Sequence, residues 1–130
     1  MVYLIEKKSL LTQYEFEVER GPDWLFVRLP DIPIYDQGID LADQLWTLLN
    51  QHFVYRLVLE MDEVHLLSSS LMGQLVMLQK RVLQHDGALR LCGLSLSCQQ
   101  ALHLCRLDQI MPNFPTREAA IRAYACSKPR

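Results

Sequence analysis

The sequence lacks a long apolar run: no stretch approaches the roughly 18 to 20 residues that cross a bilayer. Met1-Val2-Tyr3-Leu4-Ile5-Glu6 is too short and too soon acidic for a secretory leader, so a cytoplasmic protein without membrane insertion is expected. Cysteine is scarce. Cys92, Cys98, Cys105 and Cys126 form no Cys-x-x-Cys pair and sit among core-like neighbours, which predicts buried free thiols and no metal site. Charge of one sign is missing too: 13 basic and 15 acidic residues are interspersed and leave a net −2. No basic stripe is available to track a phosphate backbone, which excludes nucleic acid as the expected partner. Internal repeats, low-complexity tracts and a Gly-x-Ser-x-Gly nucleophile elbow are all absent.

What is present is 130 residues, half of them apolar, enough for one globular domain. Tyr14 to Arg20 alternates apolar with charged, the period of a strand with one wet face. After the turn Gly21-Pro22-Asp23, Trp24 to Leu29 reads as a second strand closing a hairpin. Pro30 to Gly38 is a connection. Ala42, Leu45, Trp46, Leu49 and Phe53 then recur at helical spacing, with Asp36 or Asp40 as the expected cap.

Tyr55 to Met61 predicts a buried central strand that exits at Asp62-Glu63. From Ser68 to Gln84 the period is again helical, with Leu71, Leu75, Leu78 and Val82 in line, Met72, Val76 and Leu83 beside them, and Gly87 as a left-handed stop. Ala88 to Leu94 is a further strand, and Ser95 caps a helix whose Cys98, Ala101, Leu102 and Cys105 face the core. A short edge strand within Asp108 to Pro115 and a last helix capped by Thr116 complete the chain. Strands alternating with helices predict an α/β layered fold with a partly parallel sheet. In such sheets, binding sites lie where a strand's carboxyl end hands over to a helix, and Leu66-Leu67-Ser68-Ser69-Ser70-Leu71-Met72-Gly73 is such a handover.

Those residues carry a resemblance to the STAS domain of bacterial anti-sigma factor antagonists, running from about Tyr14 to Tyr124. That family has a Leu-x-Leu strand, a short polar loop, and Asp-Ser-Ser-Gly-hydrophobic-Gly opening a helix. Leu57-Val58-Leu59, Asp62-Glu63-Val64 and Ser68-Ser69-Ser70-Leu71-Met72-Gly73 resemble them in order. Gly87 to Leu91, Ser95 to Leu107 and Pro115 to Ala120 resemble the family's later segments. The resemblance implies a single-domain STAS-like layered fold with a mixed sheet of four to five strands and about four helices. The domain would span residues 14–126, with 1–13 an extension or extra strand and 127–130 a tail.

The function implied is non-enzymatic. Such domains bind an anti-sigma factor that is often a serine kinase, free a sigma factor and so regulate transcription; phosphorylation of one serine ends the interaction, and a serine phosphatase reverses it. Carried over, the phosphoacceptor falls on Ser69, with Ser68, Ser69, Ser70, Leu71 and Met72 as the partner-binding segment. No cofactor and no metal are implied, and a homo-oligomer is compatible with the family. Two residues depart from the pattern: Ser68 replaces the family's aspartate and Leu71 its glycine. Three alternatives stand beside this reading. Ser68 can simply cap a helix beside two small residues; a STAS-like subunit of a lipid-transport ATPase or signalling complex would need no phosphorylation. A hydrolase with Ser69 as nucleophile and His65 as base lacks an identifiable carboxylate to orient the imidazole. His52, His85 and His103 are solitary, and Met61, Met72 and Met77 read as core filling before an adaptable surface.

Overall fold

Charges at every second position of Tyr14–Arg20 demand one wet face and one dry one, and the chain pairs accordingly: Val18 is fully buried while Glu17 is exposed. The computed structural model describes residues 4–11, 14–33 and 40–122. Its elements are β1 (Leu4–Leu11), β2 (Tyr14–Arg20), β3 (Leu25–Arg28), α1 (Leu41–His52), β4 (Arg56–Glu60), α2 (Ser69–Gln84), β5 (Ala88–Cys92), α3 (Leu96–Leu104), β6 (Asn113–Phe114) and α4 (Arg117–Arg122).

These strands form one six-stranded sheet in the order β1-β2-β3-β4-β5-β6. β1, β2 and β3 pair antiparallel, whereas β3–β4, β4–β5 and β5–β6 are parallel. The α/β fold with a mixed sheet is as the sequence predicts. Its sixth strand is β1, formed by residues the alternation of apolar and charged positions did not resolve.

The two faces divide by strand alternation. Leu57, Leu59, Leu89 and Leu91 meet α1, α2 and α3 in the main core, while Val58, Phe26, Trp24 and Cys92 meet Ala120 of α4 on the other side. Each fully buried leucine of the main layer contributes about 2 kcal/mol of transfer free energy. β4 lies between β3 and β5, so its C-terminal end opens onto the middle of the sheet's edge.

Several local expectations are corrected. Asp40 stands at the cap position of α1 but in a left-handed conformation (φ 41°) with no side-chain cap bond, and Asp36 lies outside the described residues. Gln74 of α2 takes over part of that role, its Oε1 accepting from the Ala42 N–H at 2.8 Å. Phe53 is 83% exposed because it is the left-handed residue that ends α1, beyond the apolar stripe. Leu83 and Met77 are exposed as well, so among the three methionines only Met61 and Met72 fill the core. Cys92 and Cys98 are buried, Cys105 is exposed past the last turn of α3, and Cys126 lies outside the described residues.

After α2 the left-handed position is Asp86 (φ 58°), not Gly87. Glycine is required at 87 for a different reason: a Cβ there would overlap the backbone oxygen of Tyr55, which itself accepts from the Ala88 N–H at 3.0 Å. Gly73, by contrast, has nothing within 4 Å of where a Cβ would stand. Gly87→Ala is therefore expected to destabilise by several kcal/mol or prevent folding, while Gly73→Ala should stabilise by about 0.5 to 1 kcal/mol through helix propensity. Urea titration followed by circular dichroism checks both, and equal effects at the two positions would refute the packing account.

Candidate functional site

β4 is buried along Leu57 to Glu60, and the chain leaves it through a connection that alternates anchors with exposed residues. Val64 (3% exposed) and Leu67 (8%) are anchored in the core; Asp62, Glu63, His65 and Leu66 face solvent. The turn is closed by the Val64 N–H donating to the Met61 carbonyl at 3.1 Å, and the Met61 N–H donates to the Cys92 carbonyl at 2.9 Å.

At Ser68 the backbone is extended (φ −79°, ψ 163°), and its hydroxyl oxygen accepts from the Leu71 N–H at 3.0 Å. This caps one of the N–H groups that a helix start leaves without an internal partner. The Ser68 carbonyl accepts the first helical bond, from the Met72 N–H at 2.9 Å. Ser69 and Ser70, the first two residues of α2, are exposed. The next two are not: Leu71 is 1% and Met72 7% exposed, both packed in the main core. The five-residue segment thus divides, with Ser69 and Ser70 outward, Ser68 half-buried as the cap, and Leu71 and Met72 beneath. Leu71 and Met72, expected in the partner-binding segment, lie beneath the exposed serines, because a turn of helix that turns its third and fourth residues inward turns its first two outward.

The neighbouring connection is fastened to this one. Ser95 caps α3 through the Cys98 N–H (3.2 Å), and the Cys98 Sγ lies 3.6 Å from the Val64 carbonyl oxygen and 3.7 Å from that of His65. Gly93, at φ 75°, approaches Asp62 so closely that a Cβ would stand 2.5 Å from the carboxylate.

His65 has a carboxylate partner that sequence reading did not find. Its Nδ1 lies 3.0 Å from Asp31 Oδ2, and its backbone N–H donates to Asp31 Oδ1 at 3.4 Å. The two side chains are 78% and 54% exposed, so the pair contributes at most about 1 kcal/mol. No hydrogen bond joins His65 to Ser69 among the described residues; the imidazole pairs with Asp31 instead. Among those residues there is also no group of three or more metal-ligating side chains, and no helix is long and apolar enough to cross a membrane.

On the opposite face Glu60, the last residue of β4, is the centre of an ionic clamp that the sequence did not reveal. Its carboxylate, 5% exposed, meets Arg117 Nε at 2.5 Å and Arg28 at 3.1 Å, and Arg117 also reaches Glu19 at 2.8 Å. Burial works against the charge on Arg117, but its hydrogen bonds to Glu60 and Glu19 outweigh that and raise its pKa. Arg117 also lies 4.4 Å over the Phe26 ring, fixing the start of α4. The sequence signal for this clamp was a charged residue near the end of each of two apolar strands, Arg28 and Glu60. The Cys92 thiol next to it is pushed up to about 12 by burial first and by the Glu60 and Asp62 carboxylates second.

A family model for the STAS domain matches residues 8–120. The chain belongs to the STAS domain family. An anti-sigma factor antagonist from Mycobacterium paratuberculosis shares the fold at a TM-score of 0.69 and 19% identity, over 83% of this chain and 91% of that one. The anti-sigma factor antagonist SpoIIAA in its unphosphorylated form is similar at 0.67 and 16% identity, over 85% and 96%. The Bacillus cell fate determinant SpoIIAA in its phosphorylated form gives 0.61 at 16%, over 83% and 98%. No curated protein sequence matches.

Ser68→Ala should cost about 0.5 to 2 kcal/mol through loss of the cap, and Ser69→Ala should fall within about 0.5 kcal/mol of the parent; equilibrium denaturation distinguishes them, and the reverse order would contradict the cap assignment. Thiol labelling at pH 8 with mass mapping should modify Cys105 rapidly and leave Cys92 protected until the chain unfolds. Because folding raises the Cys92 pKa from 9.0 to about 12, that residue's contribution to stability is intact below pH 9 and is lost as pH climbs toward 12.

Proposed function

We propose that the protein is a non-enzymatic partner-switching domain of the anti-sigma factor antagonist type. The start of α2 docks an anti-sigma factor that is also a serine kinase, and Ser69 is the phosphoacceptor; the outcome is regulation of transcription. The observation that carries this reading is the division of the serine run: Ser68 is committed to the cap, while Ser69 stands exposed beside it in the first turn. A kinase needs an accessible hydroxyl, and of the two residues that follow the cap Ser69 is the one matching the family's acceptor position.

A phosphate on Ser69 would lie near the positive end of α2, where backbone N–H groups and the helix dipole favour negative charge. The isolated domain would accommodate it. The switch therefore acts on the complex, by forcing a doubly charged group to lose its water against the partner.

A second reading keeps the fold and removes the switch: a STAS-like subunit of a lipid-transport ATPase or of a signalling assembly. It is favoured by Ser68, which supplies the cap of the family's aspartate without its negative charge, worth about 0.3 to 1 kcal/mol at a helix start and available to a kinase as a recognition feature. Incubating the protein with the cognate anti-sigma kinase and ATP and mapping the product by mass spectrometry decides between them. One phosphate on Ser69, abolished by Ser69→Ala, is expected; no phosphate on Ser68, Ser69 or Ser70 would overturn the phosphorylation switch and favour the second reading.

A further inference from the structure

We infer that the docking face extends from the start of α2 to the start of α3, with Leu66 and Leu96 as its apolar anchors, and that it takes a partner surface bearing basic side chains around an apolar patch. This rests on the proposed function and identifies the chemistry of the partner it requires.

Leu66 is 58% and Leu96 76% exposed, although the apolar residues flanking them in the same connections, Val64, Leu67 and Leu94, are at most 8% exposed. Folding therefore buries the neighbours and holds these two out. They also ride on one platform. The Cys98 Sγ contacts the carbonyls of Val64 and His65, directly before Leu66, and Cys98 sits two residues after Leu96. Large apolar side chains carried outward on a braced backbone are what interface anchors require, because the segment that bears them has little ordering left to do.

Charge specifies the occupant. The described residues of the connections leaving β3, β4 and β5, with the helix starts they lead into, are 29–33, 40–42, 61–70 and 93–97. They carry Asp31, Asp40, Asp62 and Glu63, all exposed, and no lysine or arginine. The chain as a whole has 13 basic residues against 15 acidic, so the depletion belongs to these three connections; at the same edge Arg28 ends β3 and Arg117 opens α4, and both are paired with Glu60 on the other face. His65, the other titratable group there, already faces Asp31. The edge repels nucleic acid and acidic surfaces and attracts a basic one. Gly73, one turn along α2 from Ser69 and Ser70, leaves open space in which the partner's backbone can approach. On this face a phosphate at Ser69 adds negative charge to a negative rim, so the release it causes is steric and desolvating, not a reversal of charge.

The test uses the full chain and the anti-sigma kinases of the source organism, purified one at a time, with binding followed by surface plasmon resonance at low and high salt. Leu66→Ser and Leu96→Ser should each weaken binding about tenfold, mainly through faster dissociation. Asp62→Asn with Glu63→Gln should slow association several-fold and flatten its salt dependence. Phe53→Ser and Leu104→Ser, which remove exposed side chains at the far ends of α1 and α3, should change nothing, and thermal melts confirm that all variants fold. A kinase that binds the parent and phosphorylates Ser69 but ignores both leucine variants overturns this inference and leaves the proposed function standing. Binding that ignores salt and the carboxylate changes overturns the basic partner. No binding by any of the kinases overturns both.

Discussion

The first turn of α2 begins with backbone N–H groups that have no partner inside the helix, at the point where β4 leaves the middle of the sheet. Everything at the site follows from how that need is met. Ser68 stays extended to offer its hydroxyl, so the helix starts at Ser69. Leu71 and Met72 must then enter the core, and helical geometry turns Ser69 and Ser70 to solvent. An exposed pair of hydroxyls on a rigid, capped turn is thus a by-product of satisfying the backbone and filling the core. That makes the bland account, in which Ser68 is a cap, and the functional one, in which Ser69 is an acceptor, compatible with each other.

The two faces of the sheet then divide the labour. On one, α1, α2 and α3 bury leucines and hold the connections in register, with Cys98 and Gly93 joining the turn after β4 to the turn after β5. On the other, Glu60, Arg28, Arg117 and Glu19 pin α4. Glu60 ends the strand from which the candidate site departs. Removing one partner from so buried a pair is costly, because the charge left behind has lost both its water and its counter-ion. The clamp therefore fixes the site from beneath without touching it.

Much of this was legible in the sequence where a single period governs a segment. The alternation of Tyr14–Arg20 and the leucine line of α2 located those elements, and the serines and threonine before α2, α3 and α4 are the caps their residue types announced. Reading failed where a residue's fate depends on partners distant in the chain. Gly87 is glycine because of Tyr55, Asp40 loses its capping role while Gln74 assists α1, and Asp31 reaches His65 from 34 positions away. Glu60 reads only as part of the buried strand Tyr55 to Met61 and is an ionic hub. The split of Ser68 to Met72 into cap, surface and core needed only the helix phase that follows from Ser68 as the cap, yet in sequence the five residues read as one contact segment.

The central claim is that the first turn of α2 and its fastened neighbour form the contact face for another protein. Hydrogen exchange of the domain, alone and saturated with the anti-sigma kinase it is proposed to bind, reads this most directly. The account predicts slower exchange across residues 61–70 and 93–97, with the strand starts at the opposite end of the sheet unchanged. Protection confined to α4 or to the β1–β2 hairpin, with the serine turn exchanging as in the free protein, would contradict it.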